Sequence, residues 1–485
     1  MGTAITAIAE WMPRQRWYGG KGHSPNLRQI GAWELPSGEP GARVRALLLM
    51  DDASTPPILY QVPVVERTSA PPTPPTTDAA AEPEASAHLI ARLDDGTLLY
   101  DGPPDRAFTD ALLALIVGEG TAIADGADAA GHYSGAESGL PKPPLSAPAT
   151  VLGGEQSNTS IIYRPEGSGP VICKVFRQLH DGDNPDVTLQ TALAASGSPY
   201  VPASVGDVFG EWDDVGQTTG RARGHLAFAQ EFLPGVEDAW RVALLAAAGG
   251  APFVDESREL GAAVARVHMA LSELFAREKP SAELIDGTIA AWHRRLTIAV
   301  AEVPELEPHR PAIEAFYARA ASGRWPELQR IHGDLHLGQV ISVPGRGWML
   351  LDFEGEPLRP MSERRLPDFP VRDVAGMLRS FDYVAGSTAL AHPDQAHEAA
   401  AWAAAARQAF LDGYVGTVGL DLRVYRDLLA AFELDKAVYE AIYESRNRPT
   451  WAAIPLNAIM HLLETGPLEV SEDAVAPRPD TSVAS

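Results

Sequence analysis

Residues 332–339 read His332-Gly333-Asp334-Leu335-His336-Leu337-Gly338-Gln339, and 350–354 read Leu350-Leu351-Asp352-Phe353-Glu354. Asp334 stands five residues before an amide, Gln339, and a second carboxylate, Asp352, follows in the next hydrophobic run. Transfer of a phosphoryl group from ATP to a hydroxyl uses that inventory. One carboxylate orients the attacking hydroxyl and takes its proton, while an amide oxygen and another carboxylate hold magnesium against the phosphates. Asp334 is therefore the expected catalytic base, with Gln339 and Asp352 the expected magnesium ligands. Glu354 is a further oxygen donor for a hard cation, or a contact for the acceptor; Glu356 reads equally well as a solvated loop residue. His332 and His336 lie four apart, but in a loop between short strands, outside the helical context that gives paired histidines a zinc meaning. They are expected to hold the loop by hydrogen bonds, beside the acceptor substrate.

This pattern resembles the catalytic loop and metal-binding segment of protein-kinase-like enzymes, in the branch that phosphorylates small molecules and has His-Gly-Asp in place of His-Arg-Asp. The resemblance implies an α+β, bilobal fold: a β-rich ATP lobe followed by a mostly helical lobe. Upstream, Lys174 alternates with apolar neighbours in Val171-Ile172-Cys173-Lys174-Val175-Phe176, as a strand lysine gripping the α- and β-phosphates would. Between two strand signals lies Gly153-Gly154-Glu155-Gln156-Ser157-Asn158-Thr159-Ser160. Small residues and free backbone N–H groups there suit phosphates, so Gln156, Ser157, Asn158, Thr159 and Ser160 are candidate nucleotide contacts. By analogy, Gln230-Glu231-Phe232-Leu233-Pro234 is the hinge, with Glu231 and Leu233 next to adenine.

Working outward, residues 1–62 alternate strand-like runs with Gly/Pro turns, clearest at 44–50 and 58–65. Segment 66–87 is rich in Pro, Thr, Ala and Glu and reads as a loop. Strand character returns at 89–100, which gives a small β-rich N-terminal domain over 1–104. A helix is expected at 105–117, then Gly/Pro punctuation over 118–148. Strands follow at 150–152, 159–163 and 171–176, then a helix at 184–195 with Pro185 in its first turn, then a strand at 225–232. This fits an ATP lobe over 105–235. Residues 236–485 form the helical lobe, with helices near 237–275, 283–302, 309–321, 371–386, 393–415 and 422–446. Strands there are confined to 330–331, 340–342 and 348–352. The tail after 469 reads as disordered.

Composition narrows the function classes. The chain has 485 residues, enough for two or three domains, and 45% hydrophobic content. A net charge of −25 argues against nucleic-acid or anionic-membrane partners, which need clustered positive charge. The single cysteine, Cys173, excludes an intrachain disulfide framework and reads as a small buried residue. No signal-peptide pattern and no run of about 18 apolar residues occurs, so a cytoplasmic chain with small-molecule partners is expected, as monomer or homodimer.

The chain resembles the maltokinase family. The resemblance rests on Arg14-Gln15-Arg16-Trp17-Tyr18, Glu155 to Ser160, Lys174-Val175-Phe176-Arg177, Asn184-Pro185-Asp186, the opening motif, Asp352 to Pro357, Arg372-Asp373-Val374-Ala375-Gly376, Glu433 to Glu440, and Tyr443-Glu444 with Arg446 and Arg448. It implies an N-terminal cap domain before the kinase lobes. It also implies ATP and Mg2+ as cofactors, and maltose conversion to maltose 1-phosphate that feeds glycogen and α-glucan synthesis. The acceptor sugar would be held beside Asp334 by the 433–451 cluster of Glu433, Asp435, Lys436, Tyr439, Tyr443, Glu444 and Trp451, with Lys436, Tyr439, Tyr443 and Glu444 the leading candidates. Trp17 and Arg16 would pack the cap onto the ATP lobe. One departure stands out: Thr188 occupies the position where an acid would pair with Lys174, so Asp186 or Asp183 takes that part, or Lys174 is held differently. A glucosamine or aminoglycoside kinase is the alternative within the fold, and a pseudokinase scaffold the alternative outside it.

Overall fold

The computed structural model describes residues 2–20, 22–70, 88–124, 126–153, 157–214, 216–357, 359–418 and 422–467. They form two compact units: Met1–Gly197 with Pro202–Pro234, and Ser198–Val201 with Gly235–Ser485.

The first unit is built on two sheets. In the N-terminal sheet the strands run Leu27–Leu35, Ala42–Asp51, Ile58–Arg67, Leu98–Asp101, Leu89–Arg92, all antiparallel. The unbroken apolar run in Ala42–Asp51 has a simple cause, which is burial of both sheet faces. Ala46 and Leu48 enter a core with Trp33 and Phe108, while Leu47 and Leu49 enter another with Ile8, Trp11 and Tyr60. Asp105 caps the helix Arg106–Val117 at Ala107 N and also binds Arg67 at 2.7 Å, which fixes the helix to the end of a strand.

The second sheet has the order Thr121–Ala124, Ala127–Tyr133, Ser204–Asp213, Arg221–Glu231, Val171–Phe176, Asn158–Tyr163, Ala149–Val151. The two sheets are tied where Val171–Phe176 ends. Gln178–Leu179 pairs with Ile58–Arg67, and Gln61 Nε2 donates to Phe176 O at 2.8 Å and to Leu226 O at 2.9 Å. Arg177 is fully buried: it binds Asp101 at 3.3 Å and Thr159 Oγ1 at 2.9 Å, and lies 4.7 Å over the Trp17 ring. Burial pulls the Arg177 guanidinium down and pushes the Asp101 carboxyl up, and their ion pair opposes both shifts without cancelling them. Trp17 thus packs as expected, whereas Arg16 is exposed.

The second unit is helical. Its helices are Ala239–Ala248, Val254–Leu274, Ala282–Glu302, Arg310–Ser322, Pro370–Ala391, Ala396–Val418, Arg426–Asn447 and Ala453–Thr465. Glu237–Asp238, Val340–Val343 and Gly347–Leu350 form one small antiparallel sheet. No helix among the described residues is long and apolar enough to cross a membrane.

Several local expectations change. Residues 2–11 are a helix, not strand or turn, and Ala4, Ile8 and Trp11 cover one face of the first sheet. The 118–148 stretch contains a hairpin, and Ser204–Asp213 is a long central strand that the sequence does not announce. Glu66 and Arg67 continue a strand, while 71–87 and the tail lie outside the described residues. The expected 237–275 helix breaks at Gly249 and Gly250. Arg330 and Ile331 are not in a strand; Leu328 and Gln329 make isolated bridges instead.

Candidate active site

In the second unit, a hairpin explains why Gln339 and Asp352 meet. Val340 pairs with Leu350, and Leu351 N donates to Gln339 O at 2.8 Å. The two side chains that follow are therefore neighbours, and Gln339 Nε2 donates to Asp352 Oδ2 at 3.1 Å. Asp352 has φ 65°, a left-handed conformation that a non-glycine residue adopts at a cost and that concentrates at functional sites. Phe353 is buried beneath it and packs against the His332 ring, centroids 4.6 Å apart.

The loop bearing Asp334 hangs from one face of the helix Pro370–Ala391. Asp373 accepts from His332 N at 2.8 Å and from Gly333 N at 2.9 Å. Gly333 has φ +86°, the conformation that turns both N–H groups toward one carboxylate. Three residues on, a Cβ at Gly376 would lie 2.6 Å from Leu335 O, so only glycine lets the helix approach this closely. A turn further, Ser380 Oγ accepts from Leu337 N at 3.0 Å. Asp373 also pairs with His268 Nε2 at 3.0 Å, and His268 Nδ1 meets Tyr414 Oη at 2.8 Å. Burial pushes the Asp373 carboxyl up, but the hydrogen bond with His268 and nearby charge outweigh this and hold it below the usual carboxylate range.

Both loop histidines make hydrogen bonds to backbone atoms. His332 Nε2 meets Leu351 O at 2.8 Å, and His336 Nδ1 accepts from Gly338 N at 3.0 Å. Burial lowers the His336 imidazole despite the opposing charge of Asp334, in keeping with a neutral ring that accepts at Nδ1.

Asp334 Oδ1 lies 3.5 Å from Lys436 Nζ, and Lys436 also reaches Glu356 Oε1 at 3.3 Å. Burial pulls the Lys436 ammonium down, but Glu356, Asp334 and Glu440 outweigh it and keep it above its ordinary value. For Glu356, burial pushes the carboxyl up, while Lys436 and Arg372 hold it below normal. Glu356 is thus a partner of Lys436 rather than a solvated loop residue. Arg364 lies in the field of Glu354, Asp334 and Asp352; burial pulls its guanidinium down and these carboxylates oppose the shift.

Beside Lys436 opens a pocket. Its charged lining is Arg295, Glu356, Arg372, Asp435 and Lys436, completed by Tyr439, Ala375 and Phe432. Arg295 binds Asp435, and Arg372 stacks 5.0 Å over the Phe432 ring. The helical period places Tyr439 beside Lys436, but the same helix uses its later residues differently. Glu440 binds Arg379 at 2.8 Å. Glu444 is 1% exposed and is committed to Tyr383 Oη and Arg448. Tyr443 is exposed, with Arg448 5.7 Å from its ring.

In the first unit, Lys174 Nζ lies 2.8 Å from Asp186 Oδ2. Asp186 is the alternative that the geometry selects. It sits in the first turn of Pro185–Ala195, capped by Asn184, and is also bound by Gln190. Thr188 instead turns its hydroxyl back to Asn184 O at 3.1 Å. Asn158, Thr159 and Ser160 lie on a strand paired with Phe176, Val175 and Lys174. Ser160 is buried, and Thr159 Oγ1 is engaged by Arg177. Ser157 is described, whereas Gln156 lies outside the described residues. Glu231 ends a strand with Oε2 3.4 Å from Ala203 N, and Leu233 precedes the last residue of the first unit.

Sequence reasoning missed Asp373, Arg364, Arg372 and Arg295 as site residues. Asp373 and Arg372 stood inside quoted motifs without a role, whereas Asp435 belonged to the 433–451 cluster expected to hold the sugar. Arg295 and Arg364 carried no signal beyond charge in a helical or loop segment.

Residues 11–105 match the maltokinase N-terminal cap domain, and residues 149–414 match the phosphotransferase enzyme family. The chain is 31% identical over 331 residues to a glucosamine kinase of Streptacidiphilus jiangxiensis, covering 64% of this chain and 72% of that one. It is 28% identical over 344 residues to a glucosamine kinase of Mycolicibacterium smegmatis (strain ATCC 700084 / mc(2)155), covering 66% and 80%. A solved glucosamine kinase in complex with glucosamine, ADP and inorganic phosphate shares the fold, with TM-score 0.66 at 22% identity, covering 94% of this chain and 99% of that one. The chain is therefore a member of the phosphotransferase enzyme family, a kinase-fold enzyme that carries the cap domain typical of maltokinases.

Proposed function

We propose that the protein transfers the γ-phosphoryl group of ATP to a hydroxyl of a neutral sugar, with maltose as acceptor and maltose 1-phosphate and ADP as products. The observation that carries the acceptor assignment is the charge balance of the pocket beside Asp334. Three cations, Arg295, Arg372 and Lys436, face two carboxylates, Glu356 and Asp435, and both carboxylates already have cationic partners. A protonated amine entering there would meet carboxylates whose charge is already matched by cations, whereas hydroxyl groups find donors and acceptors of both kinds. The cap-domain match supports the same acceptor.

The roles follow from the chemistry. Asp334 orients the attacking hydroxyl and accepts its proton as the new O–P bond forms and the bond to the ADP oxygen breaks. Lys436 fixes Asp334 and Glu356 and, with Tyr439, borders the sugar. In the first unit, Lys174, held by Asp186, binds the nucleotide phosphates; Ser157 to Ser160 border them, and the backbone at Glu231 and Leu233 meets adenine. The carboxylates of Asp352 and Glu354 and the amide of Gln339 are hard donors that fit magnesium; turning the Gln339 amide by half a rotation presents its oxygen. When bound there, magnesium neutralises phosphate charge. The product would supply an α-glucan-building glycosyl transfer.

A glucosamine acceptor is the second reading, favoured by the names of the two relatives. A panel of maltose, glucose and glucosamine, followed by ADP release and by phosphorus NMR of the product, separates the two. Maltose is expected to exceed glucosamine by at least about tenfold in kcat/KM, the scale of one polar mismatch in a buried site. Greater turnover of glucosamine would sink the maltose assignment.

Lys174→Met tests the nucleotide half. It removes the phosphate contact and leaves Asp186, fully buried, without its cation. We expect kcat/KM for ATP to fall about a hundredfold, the scale for one preorganised charge contact, with KM for the sugar little changed. An unchanged KM and kcat for ATP would remove Lys174 from this role.

A further inference from the structure

The acceptor pocket contains a buried carboxylate that the protein satisfies on one side only. Asp435 is 5% exposed, and its Oδ2 is taken by Arg295. Its Oδ1 has no hydrogen-bond partner among the described residues, although Asp435 lines the pocket together with Lys436 and Tyr439. Buried acceptors are almost always paired, and one left open beside a cavity needs a reason. Glu356 offers a contrast, since Lys436 donates to it from within the same pocket. Two further features make Asp435 a receptor for a donor rather than an unfinished ion pair. Arg295 holds the carboxylate in place from its other oxygen, so Oδ1 is pre-oriented. Arg372, the other guanidinium of the pocket, lies 3.0 Å from Asp368 and over the Phe432 ring, and none of its nitrogens donates to Asp435 Oδ1.

We propose that Asp435 Oδ1 accepts a hydrogen bond from a sugar hydroxyl other than the one phosphorylated, and that this contact determines which sugars the pocket takes. The assignment rests on the reading of the pocket as the sugar-acceptor site. The donor is a neutral hydroxyl, because Arg295, Arg372 and Lys436 already surround the carboxylate with positive charge. A site built around such a contact discriminates sharply against an analogue that lacks the hydroxyl, since the buried oxygen is then left unpaired.

The test uses the full-length enzyme with maltose and its monodeoxy analogues. In the wild-type protein, one deoxy position away from the reacting hydroxyl is expected to lose about ten- to a hundredfold in kcat/KM, the range for a hydrogen bond to a charged acceptor. Asp435→Ala should lower kcat/KM for maltose to about the level of that analogue, abolish the discrimination between the two, and leave KM for ATP unchanged. Asp435→Asn, which keeps an acceptor oxygen, should restore part of the discrimination. A merely structural role would lower all sugars together and preserve their ratios, and that result overturns the assignment. If Asp435→Ala fails to fold, the wild-type panel decides alone: no deoxy position losing more than about twofold overturns it. Absence of maltose turnover in the wild-type enzyme overturns the maltose reading and this assignment with it. Normal turnover with unaltered discrimination overturns this assignment only.

Discussion

Asp334→Asn is expected to lower kcat about a thousandfold, within the range that a positioned general base contributes, while KM for ATP changes by no more than about twofold. Asparagine keeps the shape of aspartate and still accepts a hydrogen bond, but it cannot hold the proton released by the sugar hydroxyl. The neighbourhood makes the variant interpretable. The loop is anchored through backbone N–H groups of His332 and Gly333 to Asp373, not through the Asp334 side chain, so the substitution leaves that anchoring in place. Its side-chain partner Lys436 keeps Glu356 as a second partner at 3.3 Å. Steady-state rates with both substrates varied, and nucleotide binding measured separately, give the split. A variant that retains more than a tenth of wild-type kcat would show that Asp334 does not take the proton. Lys436→Gln serves as the companion: it should raise KM for the sugar more than it lowers kcat, because it removes a charge that fixes Asp334 without removing the base.

How much of this was legible in the sequence differs by kind of contact. The helical segments of the second unit stand out by period; their starts are sharpened by the structure, with Ser281 capping Ala282–Glu302 and Pro370 opening its helix. The Gln339–Asp352 neighbourhood was also accessible, because a tight hairpin between them sets the register. The strand Ser204–Asp213 was not. Its pairing shifts register between Ser204 and Gly206 and again between Val208 and Phe209, so the alternation of apolar and polar residues that announces a strand is broken twice. The helix Gly2–Trp11 has no acidic residue in its first turn and no basic residue in its last; only Ala4, Ile8 and Trp11 carried its signal. For Lys174, sequence narrowed the partner to alternatives, and the cap at Asn184 decided in favour of Asp186 by starting the helix there. Asp373 lies beyond such reasoning. Its role depends on which residues of distant segments arrive beside it, and an acidic residue on an amphipathic helix reads by default as solvent-facing, whereas the fold leaves it 1% exposed. Asp435 was legible as one of a polar cluster at 433–451, but its pairing with Arg295, from a distant helix, was not.

Asp373→Ala is expected to destabilise the second unit by about 3–5 kcal/mol, the cost of removing one partner from a buried, hydrogen-bonded charge cluster. Three groups lose their acceptor at once: the N–H groups of His332 and Gly333, at 2.8 and 2.9 Å, and the His268 ring, at 3.0 Å. Water cannot easily replace the carboxylate, because Asp373 and His332 are each 1% exposed and His268 is 3% exposed. Asp373→Asn keeps one acceptor oxygen and the volume, and should cost about 1–3 kcal/mol. Acid titration separates the charge from the shape. The carboxyl of Asp373 is depressed in the folded state, since the His268 hydrogen bond and charge outweigh burial. A depressed carboxyl contributes stability above the unfolded aspartate value near pH ~3.9, and that contribution is lost as pH falls through the lower, folded value. The advantage of wild type over Asp373→Asn should therefore be complete at neutral pH and shrink below about pH 4, as read from urea midpoints across pH. Activity should respond to the same loss by a different route. With its anchor gone, the turn at Gly333 no longer has a fixed φ, and Asp334, one residue on, loses the orientation that general-base catalysis requires. Asp373→Ala should then show a lower kcat even at temperatures where circular dichroism reports it folded. A folded variant with wild-type kcat would mean that the loop holds its shape through Ser380 and the close approach at Gly376, and that Asp373 contributes stability alone.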